Sequence, residues 1–188
     1  MKKIKDSMLV GIIGGLLGVA CMDISNLILW RNKKTEGLYG HLAGSMIMKQ
    51  YKLNKGMNFL IGQIFHMTVG SGLGVGMVQI LKRFGKDYLI IKGGFFSVAI
   101  WGLLYNFGQK MGFYRAVPHS TKSSYAAIWH HFIYGFVTSQ AIVALADPTI
   151  FSQEAVENTQ SRRPTQRTTD HSTQYIYSDM NPINEEGT

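Results

Sequence analysis

Cysteine is almost absent from this chain: Cys21 is the only one in 188 residues. One thiol cannot close an internal disulfide framework. A cysteine-rich zinc site within one chain is excluded as well, because it needs two to four thiolates. Acidic residues are nearly as scarce over most of the length. Residues 1–150 carry 5 of them against 16 basic residues, a net of +11, whereas residues 151–188 carry 6 acidic and 3 basic, a net of −3. No serine, threonine or cysteine stands in a nucleophile motif. The glycine-rich run Gly70-Ser71-Gly72-Leu73-Gly74-Val75-Gly76 lacks the Lys-Ser/Thr ending of a phosphate loop and lies inside an apolar run. These absences leave little basis for an enzyme, and the chain reads as non-enzymatic.

Long apolar runs, by contrast, are plentiful. They span Met8 to Trp30, Met57 to Leu81, Tyr88 to Phe113 and Tyr125 to Ala146. About 20 such residues cross a hydrocarbon core, so each reads as a transmembrane helix. Soluble helices show a polar stripe that these lack. Lysines and arginines flank the runs, and Lys92 and Lys110 are placed to snorkel to the headgroups. The overall mean hydropathy of +0.03 averages these runs with basic linkers and a polar tail. The formal charge of +8 likewise points to a membrane surface and not to nucleic acid, because the basic residues flank spans. The expected fold is all-α: an integral membrane four-helix bundle over residues 1–151, with a disordered polar tail over 152–188.

Small residues recur at packing spacing. Gly11, Gly14, Gly15 and Gly18 form two overlapping GxxxG pairs in the first run, and Gly70, Gly72, Gly74 and Gly76 two more in the second. Such pairs let transmembrane backbones approach closely. They are candidate contacts within the bundle or within a homo-oligomer. The Lys-led N-terminus with Leu17-Gly18-Val19-Ala20-Cys21 resembles a lipoprotein cleavage box, but Gly18 departs from it and the apolar run continues to Trp30. A retained first helix is therefore expected.

Gly14-Gly15-Leu16-Leu17-Gly18-Val19-Ala20 lines up with Gly93-Gly94-Phe95-Phe96-Ser97-Val98-Ala99. Ile64-Phe65-His66-Met67-Thr68-Val69-Gly70 lines up with Trp129-His130-His131-Phe132-Ile133-Tyr134-Gly135. Two readings fit: two duplicated helical hairpins, or chance similarity between apolar segments. The linker over residues 31–56 holds Leu38 to Met48, apolar enough to lie on the interface as a short helix. Residues 114–124 form a second linker whose Pro118 and serines mark a loop capping the fourth helix.

Four spans put both termini and the turn Lys82–Asp87 on one membrane side and both linkers on the other. The intramembrane polar groups then gather near the linker side: Asp23, Asn26, Gln63, His66, Asn106, Gln109, His130, His131 and Tyr134. His41 and His119 lie in the linkers, and His171 in the tail. An acidic group in a bilayer is costly, about 2.5–3.5 kcal/mol, and usually faces a partner or water. Asp23 is thus the leading candidate and is expected to pair with a histidine of the second or fourth helix. Three readings of this half stand open: hydrogen-bonded packing glue with no cofactor; a transition-metal or proton-handling pocket of Asp23, His66 and His130 or His131; and haem b held by His66 and His131 as the metal ligands. Helix packing is assigned to Gly11, Gly14, Gly15, Gly18, Gly70, Gly74, Gly93 and Gly94.

Over residues 8–146 the chain resembles the YagU-like family of small four-span bacterial inner-membrane proteins. The resemblance rests on several features: the glycine-rich first span with a polar residue near its end; the long linker; His66; Lys92-Gly93-Gly94; and the histidines early in the fourth span. It implies a multi-pass protein of the inner (cell) membrane, in contact with the lipid bilayer, with a link to envelope or acid stress. The tail from Ser152 has no counterpart there. For orientation, nine basic residues on the linker side against six on the terminus side favour linkers inside, while the Lys-led N-terminus resembles a cytoplasmic anchor. The orientation stays open, leaning to cytoplasmic termini.

Overall fold

The computed structural model describes residues 3–47, 56–112 and 120–151, and among them every regular element is a helix. These are α1 (Ser7–Arg31), α2 (Tyr39–Ile47), α3 (Gly56–Phe84), α4 (Leu89–Lys110) and α5 (Thr121–Leu145). The expected tail over 152–188 lies outside the described residues.

Local chemistry sets the helix ends. Asp6 caps α1, its carboxylate accepting from the amides of Met8 (2.8 Å) and Leu9 (3.1 Å). Asn32 closes that helix by donating from Nδ2 to the Ile28 carbonyl (2.8 Å). Ser120 caps α5 through the amide of Ser123 (3.2 Å). Between α3 and α4 the chain turns at Gly85, whose φ of 81° is a left-handed conformation that a side chain would resist. Lys92 reaches from α4 to the turn before it. Its Nζ turns back to the carbonyls of Phe84 (2.6 Å) and Gly85 (3.1 Å) and to Asp87 (3.2 Å), neutralising the C-terminal end of α3.

Three helices, α1, α3 and α4, are long and apolar enough to cross a membrane. α5 covers the fourth expected span at similar length but is less apolar, because His130, His131 and Gln140 interrupt its hydrophobic residues. The long helices bury small residues and expose large ones. Only 17% of the apolar window of α4 is buried, and Ile91, Phe95 and Leu103 on its outer side are two-thirds or more exposed.

α1 packs between α3 and α5, and α4 packs on α5. The two GxxxG pairs of α1 serve different neighbours. Gly11 and Gly15 sit on the α3 backbone, where a Cβ would strike Val75 and Gly70, while Gly14 and Gly18 meet Ile142, Thr138 and Tyr134 of α5. Gly74 returns the contact to Gly11 and Gly15, Gly70 receives the Val19 side chain, and Gly94 receives the Phe132 ring. Gly93 and Gly135 bring α4 and α5 together in the same way. A homo-oligomer through these faces would have to displace α3 or α5. Gly72 meets nothing and remains open.

Near the chain ends the packing is dry. Val10, Met77, Val78, Leu81 and Ile142 form a buried cluster with Ala146, Ile150 and Phe151. A single parallel bridge joins Ile4 to Ala146, with Ile4 N–H donating to the Leu145 carbonyl (3.0 Å) and Asp147 N–H to the Ile4 carbonyl (2.8 Å).

Candidate functional site

The site is organised by α2, which packs against α3. After α1 ends, the chain turns back along it. Asn26 of α1, buried, donates from Nδ2 to the Gly37 carbonyl (3.3 Å) and accepts the Tyr39 amide on Oδ1 (3.2 Å). On the other side the Glu36 amide donates to Ser123 Oγ near the start of α5 (3.1 Å). α2 then runs outward against α3, with Gly40 beside Phe59 and Gln63 and Gly44 beside Asn58. The result is a segment folded back beside α1 and α3 whose first residue, Tyr39, lies level with the histidines. Asn26 supplies two of the hydrogen bonds that a free helix N-terminus and a loop carbonyl would otherwise lack.

Around Tyr39 the polar residues converge. Its ring lies 5.5 Å from that of His66 and 5.6 Å from those of His130 and His131, centre to centre. Its hydroxyl is 3.0 Å from His130 Nδ1. Asp23 accepts a short hydrogen bond from Gln63 and stands 3.4 Å from His66 Nδ1. The latter is an ion-pair separation without hydrogen-bond angles, since Nδ1 is buried with no hydrogen-bond partner. Tyr134 donates its hydroxyl to the Gly70 carbonyl (2.7 Å), tying α5 to α3. His130 is fully buried, and its Nε2 has no partner. At 1.5 Å per residue, Asp23, His66, His130 and His131 lie roughly 12–15 Å inside the linker-side helix ends.

Beside this cluster lies a cavity of about 360 Å³. It exists because α3 and α4, though consecutive, diverge from their turn. Phe96 fills the gap near Gly76, and beyond it the two helices scarcely touch. Leu73, Val69, Ile100 and Leu104 give apolar walls, and Trp101, Tyr105 and Tyr39 add aromatic ones. His66 and His131 belong to its polar lining. His131 Nδ1 is 2.7 Å from the Ala127 carbonyl, which can only accept, so Nδ1 carries the proton. The ring of Trp101 lies 5.5 Å from that of His131.

Of the nine polar residues expected here, seven gather in this half: Asp23, Asn26, Gln63, His66, His130, His131 and Tyr134. Asn106 and Gln109 do not. Both are exposed on the outer side of α4, and Asn106 spends its amide on the Gly102 carbonyl of its own helix (2.6 Å). A 3.6-residue period turns them away from the face that Gly93 and Ser97 press on α5. His41 packs on Phe59, and His119 and His171 lie outside the described residues. Sequence reasoning missed Tyr39, the residue at the centre of the cluster. Its signal was weak: one tyrosine at the start of an apolar linker stretch. Among the described residues no three His, Cys, Asp or Glu side chains converge as a metal site. The expected pairing of His66 and His131 offers two imidazoles and no third ligand.

No family model matches the chain, and no curated protein or solved structure matches it either.

Proposed function

We propose that this chain is a non-enzymatic, multi-pass protein of a bacterial inner membrane, with α1, α3, α4 and α5 as a four-helix transmembrane bundle and α2 as a re-entrant segment. The polar cluster serves to hold that bundle and α2 together. The observation that carries this reading is the distribution of hydrogen bonds: Asn26 to Gly37 and Tyr39, Asp23 to Gln63, Tyr39 to His130 and Tyr134 to Gly70. Together they link α1, α2, α3 and α5 in the linker-side half, where lipid offers no competing water. The exposed leucines, isoleucines and phenylalanines outside and the glycines inside support insertion. The less apolar α5 is tolerable as a span because His130, Tyr134, Thr138 and Ser139 point inward and are buried. A glycine of each Gly-Gly pair packs on a glycine of the next helix, Gly15 on Gly70 and Gly93 on Gly135, but Gly15 aligns with Gly94 and not with Gly93, so the contacts are one residue out of register. The resemblance to the YagU-like family, with its link to acid stress, belongs to this reading.

Single cysteines placed at Lys34, Lys86 and Ser152 in a Cys21→Ala background test it. Lys86 and Ser152 should label from one side of sealed vesicles and Lys34 from the other. Labelling of all three from one side would overturn the four-span arrangement.

A second reading is haem b between His66 and His131, and one observation favours it. Both rings line one cavity, and His131 directs Nδ1 at a carbonyl, the usual second contact of a ligating imidazole. An absorption spectrum of detergent-purified protein tests it. A Soret band lost in His66→Ala supports haem, and a metal-free, colourless sample overturns it.

A further inference from the structure

We propose that the cavity between α3 and α4 binds an uncharged, ring-bearing lipid with hydroxyl donors, of the quinol class, with its ring against Trp101 and its hydroxyl toward His66 and His131. Four features of the molecule lead there. The volume of about 360 Å³ falls within the roughly 300–1,000 Å³ of small-molecule sites. The walls are apolar and aromatic, so the body of the ligand is apolar, and Trp101, Tyr105 and Tyr39 favour a flat ring over a branched headgroup.

The polar lining sets the head chemistry. Ala127 holds the proton of His131 on Nδ1, which leaves Nε2 of that imidazole as an acceptor. Among the described residues that Nε2 makes no hydrogen bond, so it asks for a donor. A hydroxyl supplies one, whereas an ester or ether does not.

Depth excludes the common membrane lipids. With the hydrocarbon centred on helices of this length, the histidines lie several ångströms beneath its linker-side boundary. A phosphate or ammonium head there would be desolvated at high cost. An uncharged hydroxyl ring dissolved in the hydrocarbon reaches that level without such a penalty. Access is lateral, through the gap where α3 and α4 part.

This inference rests on the four-span reading, and the vesicle labelling above separates the two. A chain that does not insert loses both, and one that inserts but binds nothing loses only this one. The test uses the full chain in nanodiscs under anaerobic reducing conditions, with a radiolabelled decyl-substituted 1,4-benzoquinol as probe and empty nanodiscs subtracted. A saturable component is expected. The dimethyl ether of the probe, which has no donor, should compete at least about tenfold less well, because it cannot make the hydrogen bond. His131→Phe should weaken binding about tenfold, and its Nδ1 contact lies within its own helix, so folding should survive. Val69→Trp fills the apolar wall and should abolish binding. Absence of a saturable component, equal competition by the ether, or wild-type binding by Val69→Trp would each overturn the proposal.

Discussion

The same helices build two unlike ends. Toward the chain termini, Val10, Met77, Val78, Leu81 and Ile142 close into a dry cluster, and Gly11, Gly15 and Gly74 bring the backbones of α1 and α3 into contact. Toward the linkers, Asp23, Gln63, His66, Tyr39 and His130 hold the helices through side chains, and α3 and α4 part around a cavity. The difference teaches how spacing follows from contact chemistry. Glycine-to-backbone contact leaves no room for a void. Hydrogen bonds between long side chains hold helices at a greater distance and leave space that only packing atoms or a ligand can fill.

The largest break in this comparison should come from the dry end. Gly15→Val drives a branched side chain into the Gly70 carbonyl, where the obstacle is backbone and cannot swing aside. A loss of about 3 kcal/mol or more is expected, read as a collapse of the melting transition in detergent. Gly72→Ala meets open space and should stay within about 0.5 kcal/mol of the parent. Equal effects of the two would mean that α1 and α3 do not pack through these glycines.

Polar-end variants should cost less but still measurably. Asp23→Ala strands the Gln63 amide and the His66 ring, and Asn26→Ala strands the Tyr39 amide and the Gly37 carbonyl. Each should lower stability by about 1–3 kcal/mol. Asn26→Ala should also raise protease cutting between α1 and α3, because α2 loses its anchor. An unchanged melting temperature in both would remove the holding role from the cluster. Asn106→Ala and Gln109→Ala serve as the internal contrast. Both side chains are exposed on α4, and neither should shift the melting temperature by more than about 0.5 kcal/mol equivalent.

The smallest effect is pH dependence of the clip between Ile4 and Ala146. The Thr149 hydroxyl and amide, more than the nearby Lys5 and Lys3, hold the exposed Asp147 carboxyl below its ordinary value. A lowered carboxyl stabilises the folded state above its unfolded value, and this is lost as pH falls through the folded one. Hydrogen exchange at Ile4 and Asp147 should therefore quicken as pH drops below the usual carboxylate range, after correction for intrinsic rates. Asp147→Asn should remove that response. A response retained in the variant would assign it elsewhere.

Much of this architecture is legible in the residues themselves. Apolar runs near the length of a bilayer crossing located α1, α3 and α4 within a few residues, and the helical period gathers Gly11, Gly15, Gly18, Asp23 and Asn26 in one sector of α1, where all but the half-buried Asp23 are buried. Depth along each helix brought Asp23, His66 and the His130-His131 pair to one level. Period and depth are properties of a single helix, so sequence can carry them. Rotation of one helix against another is not such a property. It left Asn106 and Gln109 outside the cluster and split the α1 glycines between α3 and α5. The return of the chain after α1 was equally illegible, because it depends on Asn26 finding Gly37 and Tyr39 in space. By itself the sequence determined which segments are helical, how long they are and at which level their polar groups lie. Only the tertiary structure decided that Tyr39 sits among three histidines and that α3 and α4 open a cavity beside them. Both depend on contacts between residues far apart in the chain, whose geometry no local pattern encodes.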